Sequence, residues 1–496
     1  MRIINIQELD VVPASPAERI FMRLSKNLQE NRNMMEQIFP FETSFDLLER
    51  ELVIGGKTAA MYFIDGFVKD AVVTKMINFF LSITPDQLTN IKSAKEFSSH
   101  FVTYVEVSTE SDVDKIVTQY LSGPAVLMID GYDEAIIIDA RTYPARSTEE
   151  PEKEKVLRGS RDGFVETVVF NTALLRRRIR DPRFIAEVMN VGNRSRTDVV
   201  IAYIDDIVDK KTLEKVKKRI QNIDVRSLTM SQESLAECLI KRKWYNPFPK
   251  IRYTERPDIA AANILEGNLV ILVDNDPSAM VLPSSIFDFI QEADDFYYPP
   301  VIGGYLRATR NIIFFSTLIL TPLWLLIIQN MDKLPDWLSF LQIAEPNQVP
   351  PVVQLLILEI AIDVLKLASV NTPNMLGNSL SIIGALILGD FAIQSGWFVP
   401  DTILYMSIVA ICSFAQPSVE LNYAFKFMRI VILLLSHFFN LTGFIIGLVF
   451  SLVLIGTNKT ITGKGYLYPV IPFNAHDFKY KFFRIRIRAT EKSAQK

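Results

Sequence analysis

The strongest constraint on this chain is the contrast between its first 300 residues and the stretch from 311 to 457. The first part carries most of the charged side chains, whereas the second consists mainly of Leu, Ile, Val, Phe and Ala. A bilayer core of ~30 Å is crossed by ~20 helical residues. Apolar runs of about that length occupy 311–329, 352–369, 379–394 and 402–419. We therefore predict an α/β soluble N-terminal region followed by an all-α multi-pass membrane domain.

A fifth apolar block, residues 430–456, is interrupted by His437, Asn440 and Gly443. It is long enough for one tilted helix, but it could also bend back as a re-entrant element or a hairpin. Basic residues precede the first run and follow the fourth, so the positive-inside rule puts the N-terminal domain and a turn at 420–429 in the cytoplasm. A single crossing would put the basic tail outside. We favour a cytoplasmic tail, near anionic lipid.

Three charged side chains interrupt the second apolar run. Glu359, Asp363 and Lys366 lie four and then three residues apart, so they share one helical face. A charge near the bilayer centre costs at least ~2.5–3.5 kcal/mol on insertion scales, so these side chains should face protein or a water-filled cavity. They could form an internal salt-bridge set or line a pore. Asp390 and Glu420 add further acids, which favours a path for cations or protons.

Small side chains form a smooth face on the third run. They repeat every four residues, at Gly377, Ser381, Ala385 and Gly389. Such faces allow helices to approach closely in lipid, where van der Waals packing drives association. The pattern predicts close helix packing, either within one subunit or between the subunits of an oligomer.

The soluble part contains an internal repeat. MYFIDGFVKDAVVTKMI, from Met61, aligns with IAYIDDIVDKKTLEKVKK, from Ile201, at an offset of 140. GPAVLMIDGYDEAIIID, from Gly123, aligns with GNLVILVDNDPSAMVLP, from Gly267, at an offset of 144. Each copy predicts a strand ending in Ile-Asp, a helix and then an apolar hairpin with a polar turn. We therefore expect two related subdomains.

These patterns divide the chain into five parts. The two α/β subdomains cover 1–142 and 159–300, and the charged linker 143–158 joins them. A membrane domain with four to six membrane segments covers 301–457, and a basic cytoplasmic tail covers 458–496.

The residues do not point to catalysis. GGKT at 55–58 resembles the end of a phosphate-binding loop, but Glu51 occupies the position of its first glycine. The three histidines are scattered, and Cys238 and Cys412 form no CxxC pair, which disfavours a metal site and a disulfide framework. Turn chemistry explains the acids that end strands: Asp65, Asp130, Asp205 and Asp274. A net charge of -3 argues against nucleic-acid binding. We predict a non-enzyme without metal or cofactor.

Residues 159–182, GSRDGFVETVVFNTALLRRRIRDP, predict an apolar helical face that ends in a run of arginines. The face comprises Phe164, Val168, Thr172 and Leu175, and the run comprises Arg176, Arg177, Arg178 and Arg180. Cations are favourable at a helix C-terminus, so the run could be a charged helix end. It could also be a docking surface for another subunit or for a membrane.

Several segments resemble, in order, the A-subunit family of bacterial spore germinant receptors, the GerA family. They are RDGFVE (161–166), NTALLRRRIRDP (171–182), EIAIDVLK (359–366), SIIGALILGD (381–390) and FAQPSVEL (414–421). The resemblance implies a multi-pass protein of the spore inner membrane with a cytoplasmic N-terminal domain. It also implies an oligomeric ion channel or receptor complex that promotes ion release during germination, with the bilayer, further copies and other germination membrane proteins as partners.

The resemblance assigns several intramembrane positions to family motifs: Glu359, Asp363, Asp390, Pro417 and Glu420. Lys366 stands where many members have Arg, which keeps the charge but loses the planar fork. Pro299 and Pro300 depart from the usual residues before the first span.

Two other functions also fit the residues. One is a non-conducting membrane scaffold whose soluble half recruits other germination proteins. The other is a transporter that binds a small solute at the level of Glu359 and Asp390. The residues leave open the ion, the gating signal and the stoichiometry.

Overall fold

The computed structural model describes residues 22–143, 159–240, 243–292, 294–333, 335–341, 343, 348–371, 392–461, 463 and 465–483. They form two compact units. The N-terminal unit comprises the described residues up to 240 together with 253–283, and the helical unit comprises 243–252 together with those from 284 onward.

The first half of the N-terminal unit is a five-stranded antiparallel sheet of order β1-β2-β4-β5-β3. The strands are β1 Leu47–Ile54, β2 Lys57–Ile64, β3 Val107–Glu110, β4 Ala125–Ile129 and β5 Ala135–Ile138. The helices are α1 Leu28–Ile38, α2 Asp70–Ser82, α3 Pro85–Leu88, α4 Ala94–Phe101 and α5 Val113–Leu121. Every residue of β4 and β5 is buried, because α1 and α5 pack on one face and α2 and α4 on the other.

The second half repeats this arrangement, with a sheet of order β6-β7-β9-β10-β8. The strands are β6 Phe184–Val191, β7 Thr197–Ile204, β8 Arg252–Thr254, β9 Leu269–Val273 and β10 Ala279–Leu282. The helices are α6 Val168–Arg178, α7 Lys210–Gln221, α8 Ser231–Leu239 and α9 Pro257–Leu265. β2 faces β4 with Ala59 opposite Ile129, and β7 faces β9 with Val199 opposite Val273. These pairs are related by the offsets of 140 and 144 read from the sequence, so the prediction of two related subdomains is confirmed.

The strand-end acids confirm the repeat at the level of single hydrogen bonds. Asp130, after β4, accepts a hydrogen bond of 3.1 Å from the backbone N–H of Leu28 at the start of α1. Asp274, after β9, accepts one of 3.2 Å from the backbone N–H of Val168 at the start of α6. Each acid satisfies a helix N–H that has no partner within its own helix.

A buried asparagine on each of these helices is also duplicated. The side chain of Asn31 bonds both the N–H and the C=O of Ser25, at 2.9 and 2.7 Å. The side chain of Asn171 bonds both groups of Val165, at 2.8 and 2.5 Å. Both side chains are almost fully buried, so each supplies the hydrogen bonds that water would otherwise give to the backbone leading into its helix.

The helical unit contains α10 Asp294–Tyr297, α11 Pro300–Gln329, α12 Pro351–Asn371, α13 Ala392–Gln394, α14 Pro400–Phe414, α15 Val419–Gly456 and α16 Ala475–Phe482. Among the described residues, α11 and α15 are long and apolar enough to cross a membrane, and α14 is apolar but shorter. α12 is 21 residues long but carries the three charges at 359, 363 and 366. Most of the third predicted run lies outside the described residues, so four to six membrane segments stay a prediction.

Helix α15 reverses its direction at Asn440, whose φ of 56° and ψ of -139° are not helical. A Cβ added to Gly447 would lie 3.0 Å from Cα of Ile432, although 15 helical residues would separate these positions by about 22 Å. The block is therefore a hairpin, which was one of the alternatives from the sequence. The expected turn at 420–429 is wrong, because α15 already begins at Val419.

The first half of α15 runs parallel to α11. The rings of Phe314 and Phe425 are 4.1 Å apart, and the side chains of Asn330 and Asn440 bond each other at the far ends of the two helices. The return half brings Leu454 back to the core around Phe425. The chain after the hairpin thus lies near the start of α11.

Candidate functional site

Glu359 on α12 and Arg429 on α15 form a buried ion pair. Nε and Nη2 of Arg429 donate to the two carboxylate oxygens of Glu359 at 2.6 and 2.9 Å. The side chains are only 5% and 3% exposed. Nη1 of Arg429 donates to the carbonyl of Thr317 on α11 at 2.6 Å. The planar guanidinium fork therefore joins three helices through one side chain.

Lys426 extends this pair toward the next acid. Its Nζ contacts the carboxylate of Asp363 and donates to the backbone carbonyl of Glu359 at 2.8 Å. It also lies 3.5 Å from the Glu359 carboxylate. Within the part of the chain that the structure describes, the second carboxylate oxygen of Asp363, Oδ1, is buried and has no hydrogen-bond partner. A buried oxygen of this kind is a place where a water, a proton or a cation would be favourable.

Lys366 reaches α14. Its Nζ donates to Oγ of Ser413 at 2.9 Å, and the same oxygen accepts a hydrogen bond of 2.7 Å from Asn422. The rings of Phe414 and Tyr423 lie 4.9 and 5.7 Å from the ammonium, within the range of cation–π attraction.

The two facing helices carry their polar side chains at the same spacing, four and then three residues. Because α12 and the first half of α15 run in opposite directions here, the two stripes meet as three rungs. The rungs are Glu359 with Arg429, Asp363 with Lys426, and Lys366 with Asn422 through Ser413. The second stripe is missed when residues 420–429 are assigned to a turn, although its spacing is visible in the sequence.

The rungs change the expected charge balance of the site. Two carboxylates face three cations, so the cluster has a formal charge of +1 when all five side chains are ionised. Lys426 and Arg429, expected in a cytoplasmic turn, belong to a helix of the bundle and supply two of these three cations. The cluster encloses a cavity of about 10 Å³, which is room for about one water molecule. This arrangement is a compact, largely paired polar layer.

The layer lies well inside the helical unit. Thr317, which contacts Arg429, is about 15 Å along α11 from Arg307 and about 20 Å from Asn330, at 1.5 Å per residue. Glu420 lies in the first turn of α15, after Pro417. Asp390 and the small residues Gly377, Ser381, Ala385 and Gly389 lie outside the described residues.

A second polar cluster holds the start of α11. Asp295 is fully buried and lies 2.8 Å from Arg310 and 3.5 Å from Arg307. The tail contributes Lys481, which lies 2.7 Å from Asp288. Burial alone would raise the pKa of Asp288, but the Lys481 ammonium and hydrogen bonds from Ser285 outweigh it and lower this pKa. Residues 284–292 and 294–300, expected in the second subdomain, therefore belong to the helical unit.

Arg176, the first arginine of the run in 159–182, is fully buried in the N-terminal unit. It donates to both carboxylate oxygens of Asp46 at 2.7 and 2.9 Å and to Ser44 at 3.1 Å. Since Asp46 precedes β1 and Arg176 lies in the last turn of α6, this pair joins the two subdomains. Arg176 therefore docks within the chain.

The other three arginines have contacts of their own in the same unit. Arg177 lies 4.5 Å from the ring centroid of Tyr143, Arg178 lies 3.0 Å from Asp162, and Arg180 donates to Ser122 at 3.2 Å. Their docking to another subunit or to a membrane stays a prediction. All four members of the predicted apolar face are buried, but Phe164 precedes α6, so only Val168, Thr172 and Leu175 lie on the helix.

The Bacillus/Clostridium GerA spore germination protein family matches residues 33–495. The chain belongs to the GerA family. Stage V sporulation protein AF of Bacillus subtilis (strain 168) is 36% identical over 468 residues, which cover 93% of each chain. This confirms the resemblance to that protein that residues 301–330 suggest.

Other relatives of this GerA-family chain include spore germination protein KA of Bacillus subtilis (strain 168). It is 29% identical over 475 residues, which cover 95% of this chain and 86% of that protein. The crystal structure of the N-terminal domain of the A subunit of the Bacillus megaterium spore germinant receptor GerK3 is 26% identical. The match covers 52% of this chain and 95% of that one, with a TM-score of 0.40.

Proposed function

We propose that this GerA-family protein is an A-subunit-like component of an oligomeric membrane complex that promotes ion release during spore germination. In this proposal it is a multi-pass protein of the spore inner membrane with a cytoplasmic N-terminal unit, and it acts with further copies and other germination membrane proteins. The observation that carries the proposal is the charged layer of Glu359, Asp363, Lys426 and Arg429 between apolar helices. Ionisable side chains at such a depth are costly, and they typically mark ion or proton pathways.

The surface of the helical unit supports its placement in lipid. Large apolar side chains on its helices are more than half exposed, among them Ile312, Leu367, Ile411 and Val449. A water-soluble protein rarely exposes so much contiguous apolar surface. Trp337, beyond the end of α11, is 72% exposed, and Trp397, just before α14, is 59% exposed. Tryptophan is enriched where helices leave a bilayer.

The layer has the properties of a closed barrier. Both acids are neutralised by cations of another helix, and the cavity of about 10 Å³ beside them has room for about one water molecule. Separation of α12 from α15 would expose two carboxylates and two cations to any water that enters. Since an uncompensated buried charge costs several kcal/mol, such a step needs a stimulus or a partner.

Spores that carry a neutralised layer test this role. The variant combines Glu359→Gln, Asp363→Asn, Lys426→Met and Arg429→Met, because removing the charges as a set leaves no stranded partner. We expect the variant to reach the membrane in normal amounts and to release ions more slowly than wild type. Lys459→Met, at an exposed position, is the matched control. Normal release kinetics in the four-residue variant would contradict the proposal.

A non-conducting scaffold is the second candidate function, and the pairing of the layer favours it. A bundle whose charges only neutralise one another needs no opening. In that case the four-residue variant should retain both its partners and normal germination. The transporter alternative predicts saturable solute counterflow in liposomes.

A further inference from the structure

Residues 243–252 belong to the helical unit and pack against its helices. Phe248 is buried, with its ring 5.8 Å from that of Phe425 near the start of α15. Asn246 donates to the carbonyl of Leu454 at 3.4 Å, two residues before α15 ends. Pro249 accepts a hydrogen bond of 2.6 Å from the hydroxyl of Tyr466. These contacts fix the segment beside both ends of the α15 hairpin.

The same segment presents two aromatic side chains outward. Trp244 is 97% exposed and Tyr245 is 47% exposed. Their rings lie 5.9 Å apart at right angles, and Nζ of Lys243 lies 5.6 Å from the Tyr245 ring. Trp337 and Trp397 are also exposed and Trp324 is buried, but Trp244 is the most exposed of the four tryptophans. Almost complete exposure of a tryptophan in water is unfavourable.

We propose that Lys243, Trp244 and Tyr245 form an anchor in the headgroup region of an anionic bilayer. Tryptophan and tyrosine favour this region because each has an apolar ring and a polar group. Lys243 can lay its aliphatic stem along the aromatic rings and keep its ammonium beside lipid phosphates. The position of the segment fits the headgroup region. Asn246 and Phe248 hold it beside both ends of the α15 hairpin, where the two halves of the hairpin would leave the bilayer. The anchor rests on the proposal that the helical unit spans a bilayer.

The test uses the indole of Trp244 in the full-length protein, reconstituted in vesicles that contain phosphatidylglycerol. In a Trp337→Phe/Trp397→Phe variant, the two remaining tryptophans are Trp244 and the buried Trp324. Subtracting the spectrum of the same variant with Trp244→Phe isolates the emission of Trp244. Lipids brominated near the headgroup and aqueous iodide serve as quenchers.

We expect the emission of Trp244 to be blue-shifted, to lose most of its intensity to brominated lipid and to resist iodide. Quenching by iodide alone would overturn the anchor, because the indole would then be in water. Protection from both quenchers would also overturn it, because a protein surface would then cover the segment.

A companion variant, Trp244→Phe/Trp337→Phe, reports on Trp397 in the same vesicles. If brominated lipid quenches Trp397 but not Trp244, only the anchor proposal is contradicted. If it quenches neither tryptophan, the placement of the helical unit in a membrane is contradicted. In vesicles of neutral lipid, Lys243→Glu should behave like wild type, whereas in anionic vesicles it should reduce the lipid quenching of Trp244.

Discussion

Arg429 holds both carboxylate oxygens of Glu359, at 2.6 and 2.9 Å, and ties α15 to α12 within the apolar helical unit. Both residues are buried, so the pair is stable only while its geometry is intact. The pair therefore specifies how α12 and α15 align, and it is also the feature that an ion pathway would have to alter.

Removing one member of this pair should damage the protein more than removing both. Arg429→Met leaves the Glu359 carboxylate only the Lys426 ammonium at 3.5 Å, and Glu359→Gln strands the guanidinium. The second change should cost about 3–5 kcal/mol and the first somewhat less. The double variant should recover a large part of that loss. Thermal unfolding in detergent or nanodiscs measures the three variants, with Lys459→Met as the exposed control. Additive losses in the double variant would mean that the two side chains are not coupled.

The position of this pair shows where sequence reasoning succeeds and where it does not. The helical face of Glu359, Asp363 and Lys366 follows from spacing alone, and α12 has that face. The cationic partners are harder to assign, because Lys426 and Arg429 also read as flanking charges of a cytoplasmic turn. Only the start of α15 at Val419 decides between the two. The Ser418 cap, which accepts from Leu421, defines that start, and it is a short-range signal that apolar runs conceal.

The ion pair of Arg176 with Asp46 should hold the two related subdomains together. Asp46→Ala leaves a fully buried guanidinium without its carboxylate, with an expected cost of about 3–5 kcal/mol. Hydrogen exchange in the full-length protein should then show faster exchange of β1 and β6. Asp205→Ala, which removes an exposed partner of Lys210, should change stability by less than about 1 kcal/mol. Equal effects of the two variants would show that Arg176 has no special role.

The repeat itself was readable because its apolar strands and their spacing survive in both copies. The ion pair that joins the two copies cannot be predicted from the sequence, because Asp46 and Arg176 are 130 residues apart and differ from their counterparts in the repeat. A run of arginines at a helix end is typically solvated, and no local pattern indicates that one of them is buried.

The α15 hairpin should depend on Gly443. A Cβ at this position would lie 1.9 Å from the backbone carbonyl of Leu435, which cannot move without separating the two halves. Gly443→Ala should destabilise the helical unit by about 1–3 kcal/mol, as overpacking does. Gly304→Ala is the matched control, since no atom of a described residue lies within 4 Å of its added Cβ and a helix gains about 0.5–1 kcal/mol from the change. Differential scanning calorimetry should show a lower Tm for Gly443→Ala and no decrease for Gly304→Ala. An unchanged Tm for Gly443→Ala would contradict the hairpin.

The tail should stay bound to the start of α11 in mild acid. The lowered pKa of Asp288 means that its carboxylate stabilises the fold above its unfolded pKa, which is about 3.9. This contribution disappears as the pH falls through the lowered pKa. Amide exchange in α16 should therefore remain slow until the pH falls below the usual range of a carboxyl. Lys481→Met should shift the pH at which α16 loses its slow amide exchange to a higher value, whereas Lys479→Met, at an exposed position, should not.

Ion flux across proteoliposomes shows whether the charged layer belongs to an ion pathway. The wild-type protein, with any partner subunits that copurify, is compared with the Glu359→Gln/Asp363→Asn/Lys426→Met/Arg429→Met variant at equal reconstituted amounts. We expect the flux of at least one common ion through wild-type vesicles to exceed that through protein-free vesicles, and we expect the variant to change that flux clearly. Wild-type vesicles as tight as protein-free ones, or equal flux through both proteins, would contradict it.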